Sequence, residues 1–359
     1  MSRKRCRRWV REGQGMGSSG LTFEEKELQI LLTHFTLPQK QKLIPRSQKK
    51  KVIVIAGPTS VGKTELSLII AKAIGGEIII ADSMQVYRGM DIGTAKASRS
   101  ERDKVPHHLI DSRDLDETFN VVEYYNEASQ AIKEIFDKGA VPIIVGGTGF
   151  YIHSLIYGPP SGPASDPELR KKIEEEMDSK GPESLFNRLK EFDPEYAMTI
   201  TQKDRHKIVR ALEIISLTNK KVSDLPPVTS DNTDQYDFRC WFIYMPKESL
   251  YPRIEMRCDK MISDGFLDEV KRLEMEGLMQ NPTASQAIGY RQCLDYLNSA
   301  QTQEDWDHFI ASFKQASRRY AKRQFTWFRK EPLFRWLNID KMTSEMAAEM
   351  IIQDYEINF

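Results

Sequence analysis

The segment that most constrains the fold of this chain is GPTSVGKT, residues 57–64. It follows a β-branched run at 51–55 and precedes a stretch at 64–74 with helical spacing of apolar residues. Between a strand and a helix, the pattern G-x-x-x-x-G-K-[ST] predicts a P-loop, whose backbone N–H groups surround phosphate oxygens. Lys63 would add a full positive charge, and the Thr64 hydroxyl a ligand for Mg²⁺. The residues expected to bind a diphosphate are Gly57, Pro58, Thr59, Ser60, Val61, Gly62, Lys63 and Thr64.

Strand and helix patterns alternate after the P-loop. Further strands are predicted at 77–81, 107–110, 141–145 and 238–244, with a helix at 121–138. This alternation predicts an α/β fold, a P-loop NTPase-like parallel sheet flanked by helices. A charged stretch follows the Gly-Pro-Pro at 158–160. It predicts an all-helical insert domain with helices near 167–180, 183–192 and 204–218.

Composition excludes several classes of protein. The chain has 52 Lys and Arg against 52 Asp and Glu, so any nucleic-acid site must be local. Its four cysteines are scattered without a C-x-x-C pair, which predicts neither a zinc site nor a disulfide framework and fits the cytoplasm. No apolar run approaches the roughly 18 residues that cross a bilayer, so we expect no membrane partner.

One acid stands where catalysis is expected in such a fold. Ligands of parallel sheets lie at the carboxyl ends of the strands, and Asp82 directly follows the strand at 77–81. The strand at 141–145 ends in Gly-Gly-Thr-Gly without the acid that an NTPase normally carries there. Asp82 is therefore a candidate general base or a ligand of Mg²⁺ through water; a turn or helix cap is the structural alternative.

Six segments resemble the tRNA dimethylallyltransferase family. In chain order they are GPTSVGKT, ADSMQVYRGMDIGTAK, PHHLID, VGGTGFY, IGYRQ and RRYAKRQFTWFRK, and the resemblance covers about residues 52–336. It implies that the P-loop binds dimethylallyl diphosphate with Mg²⁺. It also implies that the dimethylallyl group passes to N6 of adenosine 37 of tRNA and pyrophosphate is released. No Cys follows Cys293, whereas eukaryotic relatives carry a C-terminal zinc finger, so the resemblance is to the bacterial type.

The resemblance also assigns catalytic roles. Asp82 matches the family base, and Thr148 a position that contacts the target nucleotide. Arg210 matches an arginine near the diphosphate; a surface ion pair with Glu213 is the alternative. Thr148 has an alternative as a strand-end turn hydroxyl.

A basic segment gives a local nucleic-acid signal. Seven basic residues and no acid lie between Lys314 and Lys330, and on a helix Arg319, Lys322 and Arg323 would share one face. The aromatics Phe313, Tyr320 and Trp327 are expected to pack against the core instead. The resemblance implies tRNA contacts at Asp82, Ser83, Met84, Gln85, Thr148, Arg170, His206, Lys207, Ile208, Val209, Arg210, Gln286, Ala287, Ile288, Gly289, Tyr290, Arg291, Arg318, Arg319, Tyr320, Ala321, Lys322, Arg323, Gln324 and Phe325.

The predicted organisation combines these observations. It consists of a basic, disordered extension at 1–50, a P-loop core at 51–159, the helical insert at 160–225, the core with tRNA-binding helices at 226–340, and a C-terminal helix at 341–359. The expected partners are the anticodon stem-loop of tRNA and dimethylallyl diphosphate; no obligate protein partner is expected, and the chain is expected to be a monomer. Two other enzymes remain open, a P-loop small-molecule kinase or ATPase and an adenylate dimethylallyltransferase, as does an RNA-binding module without activity.

Overall fold

The computed structural model describes residues 49–226 and 232–357. The extension predicted over residues 1–50 therefore lies almost wholly outside the described residues. The strands are β1 Lys50–Ala56, β2 Gly76–Ala81, β3 His107–His108, β4 Val141–Gly146, β5 Tyr236–Tyr244 and β6 Arg335–Asn338.

The strands form one parallel sheet in the order β3-β2-β4-β1-β5-β6. The five predicted strands are confirmed, although β3 is only two residues long, and β6 was not predicted. β1 lies in the centre, with Ile53 paired to Ile143 of β4 and to Arg239 of β5. Its apolar residues are fully buried because helices cover both faces of the sheet.

The helices follow the strands in the order that right-handed crossovers require. They are α1 Lys63–Ile74, α2 Arg99–Arg102, α3 Val121–Asp137, α4 Gly149–Tyr157, α5 Pro167–Lys180, α6 Pro182–Phe192, α7 Pro194–Met198, α8 Arg205–Thr218, α9 Asn232–Gln235, α10 Lys247–Ser263, α11 Phe266–Met275, α12 Tyr290–Leu297, α13 Gln303–Phe328 and α14 Ser344–Glu356. Short 3-10 turns lie at Leu278–Gln280 and Ala284–Gln286.

Local sequence explains where the decisive helix begins. The chain leaves β1 through a tight loop and enters α1 at Gly62, whose φ of 105° lies in the left-handed region that favours glycine. The first N–H groups of α1 therefore face the loop, where they have no partner within the helix.

The helices α5 to α8 pack around an apolar cluster of their own. Ile173 and Met177 of α5 meet Leu185 and Leu189 of α6, and α8 adds Ile208. The three helices predicted for this stretch are present with nearly the predicted bounds. The C-terminal helix α14 packs instead on α1 of the sheet layer.

None of the helices in the described ranges combines the length and the apolar character needed to span a bilayer.

Candidate active site

The carboxyl ends of three neighbouring strands bring the predicted catalytic segments together. β2, β4 and β1 are adjacent, so Asp82, the loop at 147–148 and the P-loop leave the sheet at the same edge. The Thr148 N–H donates to the Ala81 carbonyl at 3.1 Å, and the Ser83 N–H donates to Thr148 Oγ1 at 3.2 Å. Thr148 thus ties two strand ends together, as its turn alternative predicted, and it stands beside Asp82.

The P-loop encloses a polar cavity of about 360 Å³. Lys63 lies at its base and donates to the carbonyls of Gly57 and Pro58, each at 2.9 Å. Thr64 is exposed and lines the same cavity as Asp82. Three cationic side chains, Lys63, Arg253 and Arg257, line this cavity together with the carboxylates of Glu65, Asp82 and Glu101.

Arg257 is a site residue that the sequence analysis missed. It lies on α10, where burial lowers its pKa, and its Nη1 donates to Thr59 Oγ1 at 2.8 Å. One turn earlier, Arg253 Nε donates to the Ser60 carbonyl at 3.3 Å. A signal was available: two arginines one turn apart lie in the helix that follows β5, and β5 pairs with β1, the strand before the P-loop.

The charge of Lys63 depends on its surroundings. Burial, and then the Arg257 guanidinium, lower the pKa of Lys63 to about 7, against a smaller opposite effect of Asp82. Lys63 and Arg257 repel each other in a weakly screened environment, which disfavours the charged form of Lys63. A bound anion would offset this repulsion. The arrangement is that of a receptor for a multiply charged anion.

Asp82 is held by the turn that it begins. Its Oδ1 accepts hydrogen bonds from the Met84 N–H at 2.9 Å and from the Gln85 N–H at 3.4 Å. The turn alternative is therefore present, and it fixes the carboxylate. The second oxygen, Oδ2, accepts no hydrogen bond from any residue in 49–226 or 232–357 and is available as a proton acceptor.

A second cavity of about 270 Å³ adjoins the first. Asp82, Arg257 and Tyr320 border both cavities. Its remaining wall is mixed: an apolar cluster of Met84, Ile254, Met261, Ala287, Ile288 and Phe313 lies beside polar residues that include Ser83, Gln286, Ser317 and Arg323. Tyr320 lies at the junction, where burial, and then the Asp82 carboxylate, raise its pKa. A ligand with a charged head and a short apolar tail would match the pair of cavities.

The loop after Asp82 is fixed by a buried carboxylate. Glu269 of α11 accepts hydrogen bonds from the N–H groups of Asp91, Ile92 and Gly93 at 3.0, 2.7 and 3.1 Å. It also accepts the Tyr290 hydroxyl at 2.6 Å. These four donors hold the chain that returns to the cavity wall at Thr94, so the wall does not depend on a ligand for its shape.

A single side chain connects α13 to the P-loop. Gln324 Oε1 accepts the Thr59 N–H at 2.9 Å, and its Nε2 donates to the Gly147 carbonyl at 3.1 Å. Gln324 is buried, so its role in this structure is to join the P-loop to the loop after β4.

The structure does not bring Arg210 to the P-loop. Its guanidinium donates to Glu213 Oε2 at 2.8 Å and to the Pro163 carbonyl, and it lines neither cavity. Glu213 is completely buried, so Arg210 neutralises a charge inside the helical insert. This is the ion-pair alternative, with a buried rather than a surface partner.

Burial separates the predicted tRNA contacts into two groups. Outward side chains include His206 and Lys207 of α8, Gln286 and Arg291 near α12, and Arg170, whose Nε contacts Glu174 at 3.3 Å. The buried side chains are Ile208, Val209, Ala287, Tyr290, Ala321 and Gln324. Ala287, Tyr290 and Gln324 still line the two cavities, so only a base inserted there could reach them.

The basic helix α13 presents the predicted face. Arg319, Lys322 and Arg323 are exposed and make no ion pair within the described part of the chain, whereas Arg318 pairs with Glu255. Arg323 also stacks on Tyr320, with its guanidinium carbon 5.4 Å from the ring centroid.

The three aromatics of α13 behave differently from one another. Phe313 is buried, as expected, and Tyr320 is partly buried at the junction of the cavities. Trp327 is 39% exposed, so its predicted packing in the core is wrong.

Comparisons with known proteins identify the family of this chain. A family model described as IPP transferase matches residues 85–331. The tRNA dimethylallyltransferase of Protochlamydia amoebophila is 58% identical over 93% of this chain and 98% of its own length. That of Chlamydia pneumoniae is 44% identical over 88% and 92%.

Solved structures are similar as well. A tRNA isopentenylpyrophosphate transferase from Bacillus halodurans superposes with a TM-score of 0.63 at 39% identity, covering 86% of this chain and 96% of that one. A eukaryotic dimethylallyltransferase acting on tRNA gives 0.71 at 29% identity, covering 85% and 79%. On these grounds the chain belongs to the IPP transferase family.

Proposed function

We propose that this enzyme transfers the dimethylallyl group of dimethylallyl diphosphate to N6 of adenosine 37 of tRNA and releases pyrophosphate. The observation that carries the proposal is the pair of adjoining cavities with Asp82 on their border: one contains the P-loop with Lys63 and Arg257, and the other contains a cluster of apolar side chains. A five-carbon prenyl tail is bound by apolar contacts, and the cluster of apolar side chains beside the P-loop cavity supplies them. The high similarity to named tRNA dimethylallyltransferases supports the same substrate pair.

The cationic cavity assists the departure of the leaving group. As the bond between the allylic carbon and the diphosphate oxygen breaks, negative charge grows on pyrophosphate. Lys63, Arg257 and the N–H groups at the start of α1 are placed to stabilise that charge. Because these groups are fixed before the reaction, they need little rearrangement in the transition state.

Asp82 completes the transfer by accepting a proton. The N6 lone pair of adenine is delocalised into the ring, so the amine is a weak nucleophile. As N6 bonds to the allylic carbon, one N6 proton passes to the free oxygen of Asp82, and the electron pair of the broken C–O bond leaves with pyrophosphate. Met84 and Gln85 hold the other oxygen and so keep the acceptor aimed at the cavity.

A magnesium ion fits this site on the chemistry of its donors. Mg²⁺ is normally held by one or two protein oxygens together with substrate phosphates and water. The Thr64 hydroxyl, with Asp82 across the cavity, supplies such oxygens beside the space for the diphosphate. When bound, the ion would neutralise charge on the diphosphate.

The acceptor is proposed to be tRNA because the exposed face of α13 is cationic beside the active-site cavity. Arg323 belongs both to that face and to the wall of the apolar cavity. A base that reaches Asp82 must leave its stack, which favours an unpaired loop position such as 37. We further propose that the enzyme acts in the cytoplasm as a monomer.

The decisive experiment is mass spectrometry of nucleosides from unmodified tRNA incubated with the protein, Mg²⁺ and dimethylallyl diphosphate. We expect N6-dimethylallyladenosine and one pyrophosphate per modified base, and no product with Lys63→Ala. Product on free AMP but not on tRNA would replace this proposal with the adenylate enzyme. ATP hydrolysis without prenyl transfer would replace it with a kinase or ATPase.

A second experiment tests the tRNA surface. Replacing Arg319, Lys322 and Arg323 with Ala should weaken tRNA binding and reduce the slope of log affinity against log salt by about 0.7–0.9 for each phosphate that the helix no longer neutralises. Lys341→Ala, outside the face, is the control. An unchanged slope in the triple variant would show that α13 is an ordinary solvated helix.

A further inference from the structure

A groove of about 890 Å³ lies beside the active site, between α4 and the last turns of α13. α4 contributes Phe150, His153 and Tyr157, which follow one face at intervals of three and four residues. α13 contributes Arg319, Lys322 and Trp327 on its outer face. An aromatic floor thus faces a row of cations.

Trp327 is exposed yet held in place. A Cβ added to Gly149 would come within 2.3 Å of the indole Cδ1, so the ring lies directly against the backbone at the start of α4. Phe150 and His153 contact it edge-on, with ring centroids 6.1 and 6.3 Å away. A large aromatic held in one orientation with 39% of its surface exposed is suited to stacking.

The exposed charges of the groove are positive, which favours an anionic ligand. Its exposed cations are Arg319, Lys322, Arg323 and Lys330. Its one acid, Glu331, is buried and contacts His153 Nδ1 at 2.9 Å, so it does not offset them at the surface. Aromatic platforms flanked by cations suit single-stranded nucleic acid, since bases stack while the phosphates follow the charges.

The position of the groove next to the cavity at Asp82 indicates which part of a nucleic acid would bind there. Arg323 lines both this groove and the apolar cavity next to Asp82. A phosphate on Arg323 would therefore lie between a base inserted toward Asp82 and a base lying in the groove. Those two bases belong to neighbouring nucleotides.

We propose that this groove binds the unpaired base adjacent to the base being alkylated, stacked on Trp327, with Arg319, Lys322 and Lys330 at the phosphates. The inference rests on the proposed function, because it takes the RNA from that proposal. It adds a platform that holds the strand while the neighbouring base is out of its stack.

The test measures binding of a fluorescently labelled anticodon stem-loop to wild type, Trp327→Ala and Trp327→Phe, without dimethylallyl diphosphate. Without the indole to stack on, binding should weaken roughly 5- to 150-fold in Trp327→Ala, and Trp327→Phe should recover most of it. Met346→Ala, an exposed apolar residue on α14, should bind as wild type does. Unchanged affinity for dimethylallyl diphosphate verifies that each variant is folded.

RNA variants identify the partner base. Stem-loops with an abasic nucleotide on either side of adenosine 37 are measured against wild type and Trp327→Ala. We expect one abasic position to weaken binding to wild type and to have little further effect on Trp327→Ala. Fully additive losses at both positions, or wild-type affinity in Trp327→Ala, would overturn the platform.

These outcomes separate the two proposals. If wild type binds the stem-loop with the expected dependence on Trp327 but transfers no dimethylallyl group, the proposed function fails and the platform stands. If wild type transfers the group and Trp327→Ala binds equally well, the platform alone fails.

Discussion

The cavity around the P-loop and the outer face of α13 are neighbours built in opposite ways. In the cavity the charged groups are fixed: Lys63 by two backbone carbonyls, Arg257 by Thr59, and Asp82 by the turn it begins. On the outer face Arg319 and Lys322 extend into solvent without ion pairs in the described residues. The difference teaches that the proposed diphosphate site is formed before its ligand arrives, whereas the proposed RNA face should act mainly through its charge and should be sensitive to salt.

The largest effect should come from Asp82→Asn. Asparagine keeps the shape and the turn hydrogen bonds but cannot take the N6 proton, so the chemical step should slow roughly 10²- to 10⁴-fold while both substrates bind normally. Single-turnover kinetics over a Mg²⁺ titration measure this. Recovery of much of the rate at high Mg²⁺ would instead assign Asp82 to metal binding.

A smaller effect is expected from Arg257→Ala. It removes a charge-assisted contact to the diphosphate, which should weaken dimethylallyl diphosphate binding roughly 10- to 150-fold and leave tRNA affinity unchanged. Calorimetric titration provides the dissociation constant, and Arg188→Ala of the helical insert, an arginine that pairs with Glu176, serves as the matched control. Equal loss of tRNA affinity would mean that the cavity and the RNA face are not built separately.

The pH dependence of diphosphate binding should be smaller still. The pKa of Lys63 is about 7 in the empty cavity, and a bound diphosphate raises it, so above pH 7 binding must take up a proton. Affinity should then fall by up to tenfold per pH unit above about 7. Titrations in buffers of different ionisation enthalpy count the proton.

Arg257→Ala sharpens this prediction. Arg257 lowers the pKa of Lys63, so its removal should move the onset of the fall to higher pH. The measurement is the dissociation constant of the diphosphate in both proteins between about pH 6 and about pH 9, a range that stays below the ordinary pKa of lysine. An affinity that does not change over this range in wild type would show that Lys63 stays charged in the empty cavity.

The smallest effect on binding is expected from Arg210→Ala. Because its guanidinium meets Glu213 and Pro163 in the insert, diphosphate affinity should change less than about twofold, a difference within the scatter of surface substitutions. Thermal stability should fall instead, since Glu213 would lose a charge partner while buried. A large loss of diphosphate affinity would show that Arg210 contacts the diphosphate when it is bound.

Periodic features of the sequence predicted most of the fold. The strands around β1 are continuous β-branched runs, and the rule that ligands lie at strand ends led from Ala81 to Asp82. The edge strand β6 was not predicted because its four residues, Arg335–Asn338, are too few to show a periodic pattern of apolar residues. The role of the buried Glu269 was not predicted because its loop partners are backbone N–H groups, which leave no signal in the sequence.

The positions of single side chains were predicted less well. Trp327 has the seven-residue spacing of a core aromatic, but the buried face of α13 continues through Ala321, Gln324 and Phe328, so Trp327 lies beside that face rather than on it. Arg210 matches a family position, yet its guanidinium is held by Glu213 three residues on. Whether such a side chain is buried or paired depends on which distant segment of the chain packs against it. Helical spacing alone does not contain that information.

The contact between Glu269 and the loop at 91–93 has a consequence for synthesis on the ribosome. The partners are 176 to 178 residues apart in the chain. At about 5–20 residues per second, roughly 10–35 s pass between the emergence of the loop and that of the carboxylate that fixes it. Thr59 waits longer for Gln324, 265 residues downstream. The nascent chain therefore exposes its P-loop before the active site is complete. The site can become functional only after the last third of the protein has been synthesised.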